Sequence, residues 1–359
     1  MSLDRGRDSA RRRVGPDLIA SALLATLALT LAACSSAPGG PAGAAGAGRQ
    51  LRAVRSAGGY QRVIGGLLPS VVEITAGSST GSGVVFDARG DIVTNEHVVG
   101  NARSFEVRTS TLSSPLPARL VGRFAPDDLA VIRVTRDARL LRPARWAAPA
   151  QIQVGAIVLA MGSPYGLIDS VTEGIVSATG RTVTGPEPPG QPPAVIANAI
   201  QTSAAINPGN SGGALTLLSG QVIGIPTLSA TDPELGGAAP GIGFAIPAST
   251  VISIASQLIR SGKVTRSGRA TLGVTGQTYT ASGSAAGVTV DQAPADSPAA
   301  KAGIRAGDVI AGVDGQLTPT VTDLELVLAG LRPGQRVAVE ILRGGNPRQV
   351  TATLGALRS

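Results

Sequence analysis

The chain has 359 residues, of which 43% are apolar and 15% charged, a balance typical of globular proteins and not of disordered polyelectrolytes. Its net charge is +8, but no basic run with interleaved aromatic residues follows residue 33, which argues against nucleic-acid binding. One cysteine and one histidine exclude an intrachain disulfide and a His/Cys zinc site, so we expect no metal and no cofactor, with only a carboxylate calcium site left open.

The first 33 residues have the pattern of a signal peptide. A run of three arginines, 11–13, is followed by an uncharged and mostly apolar stretch, 18–33. This stretch has 16 residues, whereas a membrane span needs about 20. It ends in Leu-Ala-Ala before Cys34, which resembles the bacterial lipobox. The resemblance implies that Cys34 is lipidated and anchors the exported protein to the outer face of the bacterial cell membrane. An ordinary secretory signal is the alternative.

Residues 34–58 are rich in Ser, Ala, Gly and Pro without an apolar period, so they are predicted to form a flexible tether. Residues 59–262 are predicted to form a first domain. It contains short strand-like runs at 71–75, 83–86, 91–94, 104–108, 118–122, 129–134, 156–161, 171–177, 194–202, 214–218, 221–227 and 243–246. Because no helix interrupts them, these runs predict an all-β barrel or sandwich. A helix at 250–259 marks the end of the domain.

Residues 263–269 are polar and contain glycine, so we interpret them as a linker to a second domain at 270–357. Strands are predicted there at 272–275, 287–291, 309–313, 336–342 and 349–354, and helices at 298–301 and 321–329. The sequence Thr322-Asp323-Leu324-Glu325 has the pattern of a capping box at the start of the second helix.

A serine among glycines is the strongest candidate for chemistry. Ser211 lies in Asn-Pro-Gly-Asn-Ser-Gly-Gly, residues 207–213, where the backbone must turn tightly. Such a loop can present the hydroxyl uncovered beside backbone N–H groups, as a nucleophile with an oxyanion hole requires. A Gly-rich surface turn is the alternative interpretation of these residues alone.

A serine nucleophile needs a base, and His97 is the only imidazole in the chain. Asp127 and Asp128, both placed before a predicted strand, are the candidates for the third member of a triad. An α/β hydrolase needs its histidine after the serine, and subtilisin needs its aspartate before the histidine. The order of His97, aspartate and Ser211 is instead that of chymotrypsin.

Several motifs in this order resemble the HtrA/Deg-type serine proteases, which are trypsin-like barrels followed by PDZ domains. The matching segments are 94–99 (TNEHVV), 128–132 (DLAVI), 162–166 (GSPYG), 200–213 (IQTSAAINPGNSGG) and 241–247 (GIGFAIP). The resemblance implies a mainly β fold, a chymotrypsin-like double β-barrel with one strand-rich PDZ domain behind it. It selects Asp128 over Asp127, because the family's aspartate directly precedes Leu-Ala-Val. It also implies an endopeptidase that acts in protein quality control or stress-linked proteolysis.

The resemblance also implies roles around the nucleophile. The backbone N–H groups of Gly209 and Ser211 would form the oxyanion hole. Ala205 and Ile206, together with Thr227, would lie near the primary specificity pocket. Because none of these three is charged, we expect cleavage after small or medium aliphatic residues.

In the second domain, Thr271, Leu272, Gly273 and Val274 match the carboxylate-binding loop of PDZ domains. The resemblance implies that a C-terminal peptide pairs with a strand edge beside the helix at 321–329. Expected partners are unfolded or signalling proteins as substrates and the membrane through the lipid. The family's trimers also raise the hypothesis of a homotrimer. The alternative function is a catalytically silent, chaperone-like peptide-binding module.

Overall fold

The computed structural model describes residues 58–77, 79–163, 170–185, 193–207, 209–232 and 237–358. The predicted signal peptide, Cys34 and the predicted tether up to residue 57 therefore lie outside the described residues, as do Pro208 and residues 164–166 of the 162–166 motif. Within the described ranges, no helix is both long enough and apolar enough to span a membrane.

A helix, α1, occupies residues 58–67 and precedes a closed six-stranded antiparallel barrel. The strands are β1 (Val71–Ala76), β2 (Ser79–Val85), β3 (Asp91–Thr94), β4 (Ser104–Arg108), β5 (Leu116–Phe124) and β6 (Leu129–Val134), in the order β1-β2-β3-β6-β5-β4, and the short helix α2 (Glu96–Val99) follows β3. Successive side chains of a strand point to opposite faces. Ala130 and Ile132 of β6 therefore fill the barrel, whereas Leu129 and Val131 face outward into a second core cluster.

A second closed barrel follows. Its strands are β7 (Ile157–Gly162), β8 (Ser170–Thr184), β9 (Val195–Thr202), β10 (Ala214–Leu217), β11 (Val222–Asp232) and β12 (Gly237–Pro247), in the order β10-β11-β12-β9-β8-β7. Leu159 and Met161 of β7 join Leu129 and Val131 in the cluster between the barrels. The helix α3 (Ala248–Ser261) adds Leu258 and three other buried residues of its apolar stripe to this cluster. The two barrels thus pack against each other through a continuous apolar core.

The last part of the described chain contains a six-stranded sheet, a two-stranded sheet and two helices. Its elements are β13 (Ala270–Thr271), β14 (Thr275–Ala281), β15 (Ser284–Gln292), α4 (Pro298–Lys301), β16 (Val309–Val313), β17 (Gln316–Leu317), α5 (Val321–Ala329), β18 (Arg336–Arg343), β19 (Asn346–Thr353) and β20 (Gly355–Ala356). The sheet order is β14-β15-β16-β18-β19, which leaves β14 at an edge, while β13 pairs with β20. Leu324 and Leu328 of α5 are buried in the core of this domain.

The mainly β fold with two barrels is confirmed, but several local predictions are wrong. The short helix α2 interrupts the predicted strands of the first domain, and the capping box of α5 is formed by Thr320 and Asp323 instead of residues 322–325. A strand was expected at 272–275, whereas residues 272–274 form a loop between β13 and β14. The strand β14 itself was not predicted, because its sequence, TGQTYTA, is polar and mostly exposed at the sheet edge.

Candidate active site

The ends of two neighbouring strands bring His97 and Asp128 together. Thr94, the last residue of β3, is paired with Ala130 of β6. Asp128 directly precedes β6, and His97 lies in the first turn of α2, just beyond β3. Residues that are 31 positions apart in sequence thus become neighbours through the register of the two strands.

The imidazole of His97 is held by the Asp128 carboxylate. Nδ1 of His97 lies 3.0 Å from Oδ1 and 2.9 Å from Oδ2, and the backbone N–H of His97 donates to Oδ1 at 3.0 Å. Because an ionised carboxylate can only accept hydrogen bonds, Nδ1 must carry the proton. This leaves the Nε2 lone pair free to take a proton, as a general base requires.

Asp128 is fixed by contacts on both its backbone and its side chain. Its backbone is left-handed, with φ 48° and ψ 45°, which is uncommon for a residue other than glycine. Its carbonyl accepts hydrogen bonds from Nδ2 of the fully buried Asn95 at 3.0 Å and from the N–H of Glu96 at 3.2 Å. Oγ1 of Thr227 donates to Oδ2 at 2.5 Å. Asp128 is therefore oriented by residues from both barrels.

The environment of His97 raises its pKa above the ordinary value of 6.5. Burial of the ring acts in the opposite direction, but the hydrogen bond and charge of Asp128, with the charge of Glu96, outweigh it. The side chain is still 47% exposed, so the ring is open to a substrate. Glu96 is itself paired with Arg123 at 3.3 Å, which moderates its influence on the ring.

The loop around Ser211 is braced by Asn210, which is 4% exposed. Its Nδ2 donates to the carbonyl of Ala205 at 3.1 Å, and its Oδ1 accepts from the N–H of Asn207 at 3.0 Å. Gly209 has a φ of 114°, a conformation that other residues rarely adopt. Among the described residues, the N–H groups of Gly209 and Ser211 have no hydrogen-bond partner. These two donors are the ones that the family resemblance implies for an oxyanion hole.

The loop around Ser211 reaches the end of β3 through the residue after Ser211. A Cβ placed on Gly212 would lie 2.5 Å from Oγ1 of Thr94, and the Gly212 N–H donates to the carbonyl of Pro226 at 3.0 Å. The Ser211 side chain is partly buried, and within the described part of the chain its hydroxyl makes no hydrogen bond to His97. The structure thus assembles the His97–Asp128 pair but not the hydrogen bond between serine and histidine. Such bonds are often long before substrate binds.

Ala205, Ile206 and Thr227, which were expected near the specificity pocket, differ from one another in exposure and in their contacts. Ala205 is exposed, and its carbonyl accepts from Oγ1 of Thr172 at 2.8 Å. Ile206 is 6% exposed and packs in the interior of the second barrel. The Thr227 hydroxyl binds Asp128, a contact that sequence reasoning did not foresee, because 99 residues separate the two.

The second aspartate of the pair, Asp127, contacts Arg269. Asp127 is 3% exposed, and its Oδ1 lies 3.2 Å from Nη1 of Arg269, which also donates to the carbonyl of Pro126 at 2.5 Å. Burial raises the pKa of Asp127 to about 6, although the charge of Arg269 acts against this. No sequence pattern could have indicated this ion pair, which links the first domain to the residue directly before β13.

Residues 271–274 comprise the last residue of β13 and the loop that connects it to the edge strand β14. The Leu272 side chain is fully buried, and its carbonyl accepts from the N–H of Ala299 at 2.9 Å. Gly273 has a φ of 68°, and its N–H donates to Oγ1 of Thr271 at 2.9 Å. The N–H of Leu272 has no partner in the described ranges. The loop therefore offers at least one free donor at the start of an unpaired strand edge.

The described residues contain no group of three or more His, Cys, Asp or Glu side chains that could hold a metal ion.

Both domains of the chain are similar to known proteins. A family model of the trypsin-like peptidase domain matches residues 81–225, and one of the PDZ domain matches residues 268–354. The chain is 38% identical over 295 residues to "Protease Do-like 1, chloroplastic" of Arabidopsis thaliana, covering 79% of this chain and 65% of that protein. It is 38% identical over 286 residues to a "Probable periplasmic serine endoprotease DegP-like" of Pseudomonas savastanoi, covering 78% of this chain and 56% of the relative. The chain thus spans roughly two thirds or less of these curated relatives' length.

Solved structures match a larger share of this chain, and of their own length, than these curated relatives do. The serine endoprotease from Yersinia pestis is 35% identical, with a TM-score of 0.56, and the match covers 83% of this chain and 98% of that one. The HtrA-type protease AlgW with decapeptide is 31% identical, with a TM-score of 0.55 and coverage of 83% and 98%. With a trypsin-like peptidase domain, one PDZ domain and these relatives, the chain belongs to the HtrA-type serine proteases.

Proposed function

We propose that this chain is an exported, membrane-anchored serine endopeptidase in which Ser211 is the nucleophile, His97 the general base and Asp128 the group that orients the base. The observation that carries the proposal is the fixed His97–Asp128 pair. It leaves Nε2 of the only imidazole in the chain available, with a pKa raised above 6.5. Family membership supports the same chemistry.

In the proposed reaction, Nε2 of His97 takes the proton of the Ser211 hydroxyl as Oγ attacks the scissile carbonyl carbon. The carbonyl electron pair moves to oxygen, and the N–H groups of Gly209 and Ser211 bind this oxyanion. When the intermediate collapses, the C–N bond breaks and the leaving amine takes the proton from His97. Water then attacks the acyl-enzyme in the same way, with His97 again as the base, and releases Ser211.

Proteolysis of casein by the full chain, with the Ser211→Ala variant as the matched control, tests this function. We expect casein cleavage by the wild type and none by the variant. Equal residual activity in the wild type and the variant would refute the proposed peptidase activity of Ser211. Labelling by a fluorophosphonate adds a separate test, because it forms a covalent bond to Ser211 only if that hydroxyl is activated.

We further propose cleavage after small or medium aliphatic residues. The loop before the nucleophile supports this, since Ala205 is exposed and Ile206 packs in an apolar interior, so neither supplies a charge for Lys or Arg recognition. Mapping of the cleavage sites in casein by mass spectrometry checks the proposal. A majority of basic residues before the scissile bonds would contradict it.

The PDZ domain is proposed to bind the C-terminal ends of peptides. β14 is an edge strand, and the N–H of Val321, the first residue of α5, donates to Oγ1 of Thr278 on β14 at 3.3 Å, so the strand edge lies beside the start of the helix. A peptide can add to this edge and place its carboxylate at residues 271–274. Fluorescence anisotropy with a peptide library should show binding by free carboxylates that is lost on C-terminal amidation. Equal binding of amidated peptides would contradict carboxylate capture.

Lipidation at Cys34 would place the enzyme on the outer face of the cell membrane, where misfolded exported proteins are its proposed substrates. One relative is named as periplasmic, which supports an extracytoplasmic location. Fractionation of cells that express Cys34→Ala should find the protein released from membranes. Light scattering of the purified full chain tests the proposed homotrimer.

A further inference from the structure

A fully buried serine outside the proposed triad contacts the nucleophile loop twice. Ser82 lies in β2 of the first barrel and is 0% exposed. Its hydroxyl donates to the carbonyl of Gly209, and its backbone N–H donates to the carbonyl of Ser211 at 3.1 Å. Both residues whose N–H groups would bind the oxyanion therefore have their carbonyl oxygens held by Ser82.

The direction of the hydroxyl is fixed by a third group. The backbone N–H of Ser163, at the end of β7, donates to Oγ of Ser82 at 2.8 Å. Since this bond uses Oγ as an acceptor, the single hydroxyl proton is left for the carbonyl of Gly209. One side chain thus joins β2 of the first barrel to two segments of the second.

The contacts of Ser82 matter because glycine in this loop restricts the backbone conformation very little. Gly209 has no Cβ to restrict its backbone, and its φ of 114° is one of many values open to it. A rotation of its peptide groups would turn the N–H away from the oxyanion position. The carbonyl of Gly209 belongs to the peptide group that follows this residue. Holding it from outside the loop fixes one side of Gly209 and so limits the rotation of the adjoining peptide group, which carries the Gly209 N–H.

The same stretch of β2 also touches the helix of the proposed base. A Cβ on Gly81 would lie 2.7 Å from both Cγ atoms of Val98, the residue after His97. The carbonyl of Ser82 accepts from Oγ1 of Thr94, near the start of that helix, at 2.7 Å. Ser82 is therefore placed between the base and the nucleophile loop, in contact with the supports of each.

We propose that Ser82 is a positioning residue that holds the oxyanion hole in its binding geometry across the interface between the barrels. The inference rests on the proposed function, since it assigns a support to the donors of that site. Ser82 touches no reacting atom in this role. Its effect should therefore be seen in the stabilisation of the tetrahedral intermediate more than in substrate binding.

The test compares Ser82→Ala with wild type on a peptide substrate and on a peptidyl trifluoromethyl ketone, which forms a tetrahedral oxyanion. Loss of one oxyanion donor costs on the order of 10²–10³ in turnover, and we expect a displaced donor to cost about 10- to 100-fold in kcat. KM should change little, and the inhibition constant of the ketone should rise in parallel with the fall in kcat/KM. Ser70→Ala is the matched control, because Ser70, which directly precedes β1, is also a buried serine, at 2% exposure.

Hydrogen exchange gives a readout that does not need activity. In Ser82→Ala, the segment 205–213 should exchange faster than in wild type, whereas Ser70→Ala should leave it unchanged. Unchanged exchange there, or a kcat within about twofold of wild type, would overturn the positioning role. If wild type and Ser211→Ala are equally inactive while exchange at 205–213 still responds to Ser82→Ala, the proposed function fails and the structural support stands.

Discussion

Oγ1 of Thr227 donates a hydrogen bond of 2.5 Å to Oδ2 of Asp128, the oxygen that also lies 2.9 Å from Nδ1 of His97. Thr227 belongs to β11 of the second barrel, whereas Asp128 precedes β6 of the first. The orientation of the proposed base thus depends on the correct docking of the two barrels.

Replacing Thr227 by valine should reduce kcat/KM. Valine has nearly the same shape but no hydroxyl, so Asp128 would lose one of the donors that orient it. Hydrogen bonds to charged groups contribute about 1.5–3 kcal/mol, so we expect a loss of about 10- to 100-fold. Steady-state kinetics on a peptide substrate measure it.

Thr227→Ser is the control for this prediction, because it keeps the hydroxyl and removes only a methyl group. It should retain most of the activity. Comparable losses in the serine and valine variants would show that packing, and not the hydrogen bond, is what matters at this position.

The pH dependence of activity should report the raised pKa of His97. The base acts only when it is neutral, so kcat/KM falls as the pH drops through this pKa. Because the pKa is raised, the fall should be centred above pH 6.5. Since the chain has one histidine, a single imidazole NMR signal should titrate with the same midpoint.

Charge changes at Glu96 and Arg123 should move this midpoint in opposite directions. Glu96→Gln removes a negative charge that raises the pKa of His97, so the midpoint should fall. Arg123→Ala removes the partner of Glu96, 3.3 Å away, so the midpoint should rise. Shifts of both variants in the same direction would contradict this electrostatic interpretation.

Asp127 should make the stability of the protein depend on pH. Its pKa is about 6 in the folded chain against 3.8 ordinarily, so the folded state binds the proton more tightly. Its contribution is therefore fully present below about pH 4 and is lost as the pH rises through 6, by at most about 3 kcal/mol. Urea unfolding at several pH values between 4 and 8 measures this loss.

The difference between wild type and Asp127→Asn isolates this group, because the asparagine keeps an acceptor for Arg269 but does not titrate. Wild type should lose stability relative to the variant as the pH rises. A relative gain by wild type over the same range would show instead that the ionised pair with Arg269 is favourable.

Gly212→Ala should both destabilise the protein and abolish activity. Gly212 has a φ of 81°, and a Cβ there would lie 2.2 Å from the carbonyl oxygen of Ser82, a contact that requires the backbone to move. The left-handed conformation alone costs about 1–2 kcal/mol. Gly220→Ala is a matched control, since its φ is 76° but nothing lies within 4 Å of its Cβ position.

A larger fall in thermal stability for Gly212→Ala than for Gly220→Ala would measure the steric part of this effect. Equal falls in stability, with activity retained, would mean that the nucleophile loop tolerates displacement.

Much of the fold could be predicted because many of its strands are short and apolar. β3, β6 and β16 have the bounds that the sequence predicts, as do α4 and α5. The helix α2, which carries His97, was missed because four residues are too few to show a helical period.

The proposed site was predicted less completely, because its supports come from distant residues. His97 and Asp128 were identified, and the structure brings them together. The sequence alone could not show which of the two adjacent carboxylates faces the ring, since this depends on the left-handed backbone of Asp128. The contacts made by Ser82 and Thr227 depend on how two barrels dock, and no local pattern encodes that.

The Asp127–Arg269 contact has a practical consequence for separating the two domains. A chain cut after Gly268 would keep the buried carboxylate of Asp127 but discard the guanidinium that lies 3.2 Å from it. Burial alone would then set the protonation of Asp127, one peptide bond from the aspartate that orients His97. Removing the second domain at that position therefore also removes the positive charge beside Asp127. The effect on activity of losing the domain would then be combined with the effect of losing this charge. A truncation that retains Arg269 separates them.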